Sequence, residues 1–261
     1  LNITKQQAAK MIAVDRFPLS NKYDSEWVLT NQMGPSALWL TEWLVEKMDL
    51  KPGMRVLDMG CGKAMSSIFL AKEYGVKVWA NDLWISASEN WERICEAGFE
   101  DQICPIHAEA RSLPYAEGYF DAIVSIDSYQ YYGTDDLYLG YFSKYVKPGG
   151  QMGIVVPGLA REIEGEVPEH LTRPQSNGLV FWVDDCFCFH TADWWKHFWG
   201  RTRLVDVETT DVLEDGIGLW LQFEKAVVAA GTNIFPSAQE VLAQDGGRSL
   251  AWVRQIARRK E

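Results

Sequence analysis

The sequence predicts an α/β fold, a doubly wound and mostly parallel sheet with helices on both faces, and three observations carry that expectation. Strand-like apolar runs alternate with helix-like runs from about residue 35 to residue 158. The run VLDM at 56–59 carries an acid, Asp58, near its end and is followed by two glycines, Gly60 and Gly62, separated by Cys61. The next run, VKVWAND, ends at Asp82, 24 positions after Asp58. In such sheets ligands bind outside the carboxyl ends of the strands, where these residues would lie.

Residues 35–49 place Leu38, Trp39, Trp43, Leu44 and Met48 near helical spacing, and LKPG breaks the pattern before the strand MRVLDM. SSIFLAKEYG reads as a helix closed by Gly75, VKVWAND as a strand, ISASENWERICEAGF as a helix ending at Gly98, and YFDAIVSID as a strand. LYLGYFSKYVKPGG reads as a helix ending in a Lys-Pro-Gly-Gly turn, and QMGIVVPG as the strand after it. Beyond Pro157 the rhythm stops. Residues 158–190 read as an insertion, TADWWKHFWG as a helix, and LVDVETTDV and GLWLQFEKAVV as an antiparallel pair of edge strands. The last stretch reads as a helix interrupted at Gly246 and Gly247, with Arg254, Arg258, Arg259 and Lys260 complementing a helix C-terminus.

The 261 residues, 47% hydrophobic and 23% charged, are long enough to bury a large core, which excludes a disordered or fibrous chain. A formal charge of −11 opposes binding to nucleic acid, whose affinity comes largely from Lys and Arg on phosphates. No apolar run reaches the roughly 18 residues of a membrane span, and LNITKQQAAKMIAVDRF lacks the apolar core of a signal peptide, so a cytoplasmic protein acting on a small molecule is expected. The five cysteines, an odd number, fit free thiols in a reducing compartment better than a disulfide framework. Oligomeric state is not legible.

Gly60 and Gly62 allow a sharp turn and a close backbone approach to a ligand, and Asp82 stands where a nucleotide site places an acid on a ribose diol. A dinucleotide fingerprint requires a third glycine at position 65, and Met65 stands there, so a nicotinamide cofactor is not expected.

Four segments in order, VLDMGCG, VWANDLW, HAEARSLPYAEG and YFDAIVSIDS, resemble the motifs of class I S-adenosylmethionine-dependent methyltransferases over roughly residues 50–156. The stretches from Ser128 to Gly158 and FHTADWWKHFW also resemble an uncharacterised bacterial subgroup. The resemblance implies a Rossmann-like sheet of seven strands with one antiparallel member near the C-terminus, and S-adenosylmethionine as cofactor. It implies a cofactor site made of Asp58, Gly60, Cys61, Gly62, Asp82 and Leu83, with Glu109 at the adenine amino group and Ala110 beside the ring. Segments placed like YDSEWVLTNQMGPSALW fold over the cofactor in the family, which adds Tyr23, Met33 and Gly34, and Trp27 as either a contact or a packing residue.

Asp127, after the fourth strand, is the candidate that faces methyl donor and acceptor, with Tyr129, Tyr131, Tyr132 and Trp84 as aromatic walls suited to an amine or, in the alternative, to a stacked phenol or quinone ring methylated on oxygen or carbon; the rival from another class is a regulatory protein that binds the cofactor without turnover. His190 is the candidate base from the lid. Cys186, Cys188 and His190 alternate as one face of a strand, and the C-x-C spacing does not match a zinc knuckle, so no metal is expected. Lys63 reads as a solvated lysine. The expected organisation is one domain over 1–261: an N-terminal helical cap (1–50), a cofactor-binding core (51–156), a substrate lid (157–200) and C-terminal strands with a helix (201–261).

Overall fold

The computed structural model describes residues 4–261, so residues 1–3 of the expected cap lie outside it. The chain enters through α1 (Lys5–Met11), where Thr4 and Gln7 cap the first turn reciprocally, then α2 (Ser25–Asn31) capped by Asp24 and α3 (Ala37–Val45) capped by Ser36. The alternating part follows: β1 (Arg55–Met59), α4 (Met65–Tyr74), β2 (Lys77–Asp82), α5 (Ala87–Glu96), β3 (Ile103–His107) and β4 (Phe120–Ile126). Two short helices, α6 (Gln130–Gly133) and α7 (Tyr138–Phe142), lead into β5 (Val146–Leu159). The remainder is α8 (Glu169–Thr172), α9 (Ala192–Gly200), β6 (Val205–Val212), α10 (Gly216–Ala230), α11 (Gln239–Asp245) and β7 (Leu250–Arg259).

These strands form one seven-stranded sheet in the order β3-β2-β1-β4-β5-β7-β6. Only β7 runs antiparallel to its neighbours. Burial on both faces explains the continuous apolar runs of the central strands. Side chains along β1 alternate between two cores: Val56 joins the layer of α3, α4 and α10, while Leu57 and Met59 join the layer holding Tyr129, Phe142, Trp195 and Trp199.

The C-terminal third departs from the expected elements. GLWLQFEKAVV is no strand: it lies inside α10, which buries Leu219, Phe223, Ala226 and Val227 at helical spacing and stops at Gly231 with φ 69°. The short alternation in GLWLQF masked that longer period. The last stretch is a helix only to Asp245. Gly246 and Gly247, with φ 54° and 84°, turn the chain back as β7, which supplies the antiparallel pairing to both β5 and β6. The basic residues of this end pair across the sheet rather than capping a helix. Buried Arg254 meets Asp211 and Glu46, and Arg258 meets Glu208 and Asp49. Residues 186–190, expected as strand, are not one: Asp184–Cys188 form a 3-10 turn, so Cys186 and Cys188 do not share a strand face with His190. Among the described residues no helix is long and apolar enough to cross a membrane.

Candidate functional site

The chain leaves β1 toward β2 and β3 on one side and returns as β4 on the other, which makes the carboxyl ends of β1 and β4 a topological switch point. A cavity of about 240 Å³ opens there, lined by the turn after β1, the ends of β2 and β4, the segment after β3 and residues 31–37 before α3.

The turn after β1 is shaped by its neighbours. Gly60 has φ 74°, and a Cβ there would stand 2.0 Å from Ser128 Oγ and 2.4 Å from Ser128 Cβ, so the position has no room for a side chain. Gly60 N and Cys61 N both donate to Asn81 O, at 2.8 and 3.1 Å, and Gly62 N donates to Asp82 Oδ2 at 2.8 Å. Asn90 Nδ2 donates to Gly62 O at 2.9 Å. All three N–H groups are therefore used inside the protein, and the loop offers a ligand close backbone approach rather than these donors. Met33 covers it from the N-terminal side, its Sδ lying 3.2 Å from where a Gly62 Cβ would stand.

At the end of β2, Asp82 Oδ1 accepts Trp84 N and Ile85 N at 2.8 and 2.9 Å. Each carboxylate oxygen has two lone pairs, so Oδ1 is filled by these two donors, while Oδ2, which accepts Gly62 N, keeps one for a ligand hydroxyl. Leu83, half exposed, and Ala110 line the same end of the cavity. Glu109 lines it too, but its carboxylate accepts Arg111 N at 2.7 Å and pairs with the Arg111 guanidinium at 3.2 Å.

Asp127 closes the other end. It has φ 51°, a region that Asp and Asn enter more readily than most residues, and its N–H donates to Val155 O at 2.8 Å. Oδ1 accepts Gln130 Nε2 at 3.1 Å, and burial pushes the carboxyl up to about 7. Gly34, with φ 145°, lies against it: a Cβ there would stand 2.8 Å from Asp127 Oδ2. Tyr131 and Tyr132 line the cavity beside Asp127.

Five expected assignments are corrected. Asp58 does not reach the cavity: it is fully buried, and its Oδ2 accepts Ser66 Oγ and Ser67 Oγ at 2.6 Å, which fastens α4 to β1 from behind the loop. Burial raises that carboxyl to about 6 against those hydrogen bonds. Tyr23 stacks on Trp27 and Phe69 with Lys72 over its ring, on the outer side of α4, and Trp27 packs there with it. Tyr129 is fully buried among Tyr132, Tyr138, Phe142, Trp195 and Trp199, its hydroxyl without a partner among the described residues, so it is a core ring. His190 lies outside the cavity lining because its carbonyl docks on Leu159 N at 3.1 Å, which turns the ring onto Trp194, 3.7 Å away, with Nδ1 3.6 Å from Glu162. Trp84 does line the cavity, but at the Asp82 end, two strand spacings or about 10 Å across the sheet from Asp127.

The segment from residue 56 to residue 150 matches a family model described as a methyltransferase domain. Residues 56–150 carry a methyltransferase domain. Methyltransferase GfsG of Streptomyces halstedii is 31% identical over 134 residues, 50% of this chain and 48% of the relative. Phosphoethanolamine N-methyltransferase 1 of Triticum aestivum is 33% identical over 117 residues, 43% of this chain and 22% of the relative. The chain thus spans less than half the length of these curated relatives. The solved structure of phosphoethanolamine N-methyltransferase 2 of Haemonchus contortus in complex with S-adenosyl-L-methionine superposes with a TM-score of 0.66 at 17% identity, covering 95% of this chain and 61% of that one.

In this methyltransferase domain the site includes residues that the motifs did not single out. Lys63 is not simply solvated: it lines the cavity and its Nζ donates to Thr30 O at 3.2 Å, with partial burial lowering its basicity. Arg111 bridges the mouth from Glu109 to the Tyr131 carbonyl, 3.5 Å away. Asn81, next to Asp82, and Ser128, next to Asp127, shape the loop between them. Their only signal in the sequence was adjacency to the two acids. Among the described residues no group of three or more His, Cys, Asp or Glu side chains is placed to hold a metal ion.

Proposed function

We propose that this domain transfers a methyl group from S-adenosylmethionine to an amine nitrogen of a small molecule held beside Asp127. The observation that carries the reading is the placement of two acids with different surroundings at the two ends of one cavity: Asp82, engaged by three backbone N–H groups, and Asp127, desolvated beside Gly34. The residues present fit the cofactor. Asp82 Oδ2 has one lone pair left for a ribose hydroxyl, the glycine turn admits a ligand close to the backbone, and Met33 with Gly34 covers the site from the N-terminal side.

Bound S-adenosylmethionine supplies a methyl group on an electrophilic sulfonium. The chain's own tasks are then to align the acceptor, exclude water and accept a proton. Asp127, raised to about 7, is poised to orient an ammonium and take its proton, and a cation beside it favours the carboxylate in return. Tyr131 and Tyr132 offer aromatic faces to the charge that develops on nitrogen. The similarity to a phosphoethanolamine N-methyltransferase is compatible with an amine, as those to a sterol 24-C-methyltransferase and a demethylmenaquinone methyltransferase are with other acceptors, so the amine reading rests on Asp127 and its surroundings.

Mass spectrometry of a metabolite extract incubated with the protein and methyl-labelled cofactor tests the reading. Label on nitrogen is expected. Label confined to oxygen, sulfur or carbon removes the amine assignment, and cofactor binding without any transfer removes catalysis.

A further inference from the structure

Gly34 and Pro35 line a second cavity as well, of about 390 Å³, within the size range of small-molecule sites. Its other walls come from three further parts of the chain: Leu179 and Phe181 of the insertion after β5, Trp220 and Val227 of α10, and Ile234 and Phe235 beyond α10. Around it, Leu179, Val183, Ile234 and Phe235 each leave 46–52% of their surface in water, an unusual concentration of large apolar side chains around one opening.

The charge of this cavity is as informative as its apolarity. No Lys, Arg or His lines it, and its one ionisable group is Glu224, whose acidity burial weakens. Such a cavity repels a phosphate or carboxylate and accepts a neutral or cationic body. Its position relative to Asp127 is set by Gln32, whose Oε1 accepts Gly34 N at 3.1 Å and whose Nε2 donates to Thr232 O at 2.8 Å. That side chain ties the wall shared by the two cavities to the segment that closes the second one. Gly34 is common to both linings, and a Cβ on it would stand 2.8 Å from Asp127 Oδ2, so the rim shared by the two cavities lies directly against that carboxyl.

Resting on the methyl-transfer reading above, we propose that the second cavity holds the apolar body of the methyl acceptor, which is an amine carried on a hydrocarbon or aromatic frame without phosphate or carboxylate. The acceptor lies over Gly34 with its nitrogen at Asp127 and its frame against Leu179, Trp220 and Phe235.

Titration of the whole protein with the neutral fluorophore N-phenyl-naphthylamine, in the absence of cofactor, tests the cavity. One saturable site is expected, weakened at least about tenfold by the pair Leu179→Glu and Phe235→Glu, because each places a charge in an apolar wall. Both side chains are half exposed, so the melting temperature should stay near that of the parent. With methyl-labelled cofactor, decylamine should exceed propylamine in kcat/KM by at least about tenfold, and the paired substitution should collapse that preference. Three results overturn the proposal: no saturable fluorophore site, a site unaffected by the pair, or a dimer that the pair dissociates, which gives the patch to a second copy of the chain. Failure of S-adenosylmethionine to bind in calorimetry overturns methyl transfer, and hence an acceptor, whatever the fluorophore does.

Discussion

Asp82 Oδ2 accepts the backbone N–H of Gly62 at 2.8 Å, so the acid proposed to hold the cofactor ribose also holds the glycine loop on which the cofactor would lie. Its other oxygen organises the turn through Trp84 and Ile85. Recognition and loop geometry depend on the same carboxylate.

Asp82→Ala should therefore weaken S-adenosylmethionine binding by more than one lost contact. A charge-assisted hydrogen bond contributes about 1.5–3 kcal/mol, one to two decades in affinity, and release of the loop adds to that. Asp82→Asn keeps an acceptor oxygen and should retain part of the affinity. Calorimetric titration of both variants checks the order wild type, Asn, Ala; an Ala variant that binds like wild type removes Asp82 from the site.

Gly60→Ala should destabilise the fold as well as the site, because the new Cβ meets Ser128 at 2.0–2.4 Å and the residue must hold φ 74°. Adding Ser128→Gly removes the clash and leaves the left-handed backbone term, about 1–2 kcal/mol. Denaturant melts of the two single variants and the pair should show strong coupling. Additive losses contradict the contact.

Asp127 predicts a pH dependence whose sign can be worked out. Unfolded, the carboxyl loses its proton near its ordinary 3.8; folded, near about 7. Between those values the folded state holds more protons, so this group's contribution to stability falls as pH rises and is fully lost above about 7. Asp127→Asn escapes that loss and suits the positive φ. Its melting temperature relative to wild type should climb from pH 4 to pH 7 and then level off. Methyl transfer to an amine should drop, and the rise of wild-type kcat/KM through about pH 7 should vanish in the variant. A flat difference in melting temperature across that range refutes the raised carboxyl.

Arg254→Met should destabilise the protein by about 3 kcal/mol, the low end for breaking a buried ion pair, because Asp211 and Glu46 remain partly hydrated once the guanidinium is gone. Cofactor affinity should be unchanged, since β7 lies three strands from β1. A drop of several degrees in Tm is the expected readout.

Chelation should alter neither activity nor melting temperature. Stoichiometric metal in the purified protein contradicts this.

By itself the sequence determined the elements whose signals are local. The alternation through β1, α4, β2, α5, β4 and β5, the glycine turn at 60–62 and the acids at the ends of β2 and β4 could all be read, because strand burial and turn geometry write short, dense patterns. The edge of the sheet was decided by tertiary structure. α10 and β7 each carry apolar residues compatible with either period, and only the antiparallel partners on β5 and β6, with Asp211 and Glu208 waiting for Arg254 and Arg258, make Leu250–Arg259 a strand. The same limit governs the site. Asp58, Tyr129 and His190 have the right chemistry in the right neighbourhood of the chain, but a side chain's direction depends on what packs behind it: Ser66 and Ser67 hold Asp58 under the loop, five rings enclose Tyr129, and Leu159 turns His190 aside. Lys63, Arg111 and the Gly34 wall between the two cavities carry no local pattern, and only the folded chain brings them together.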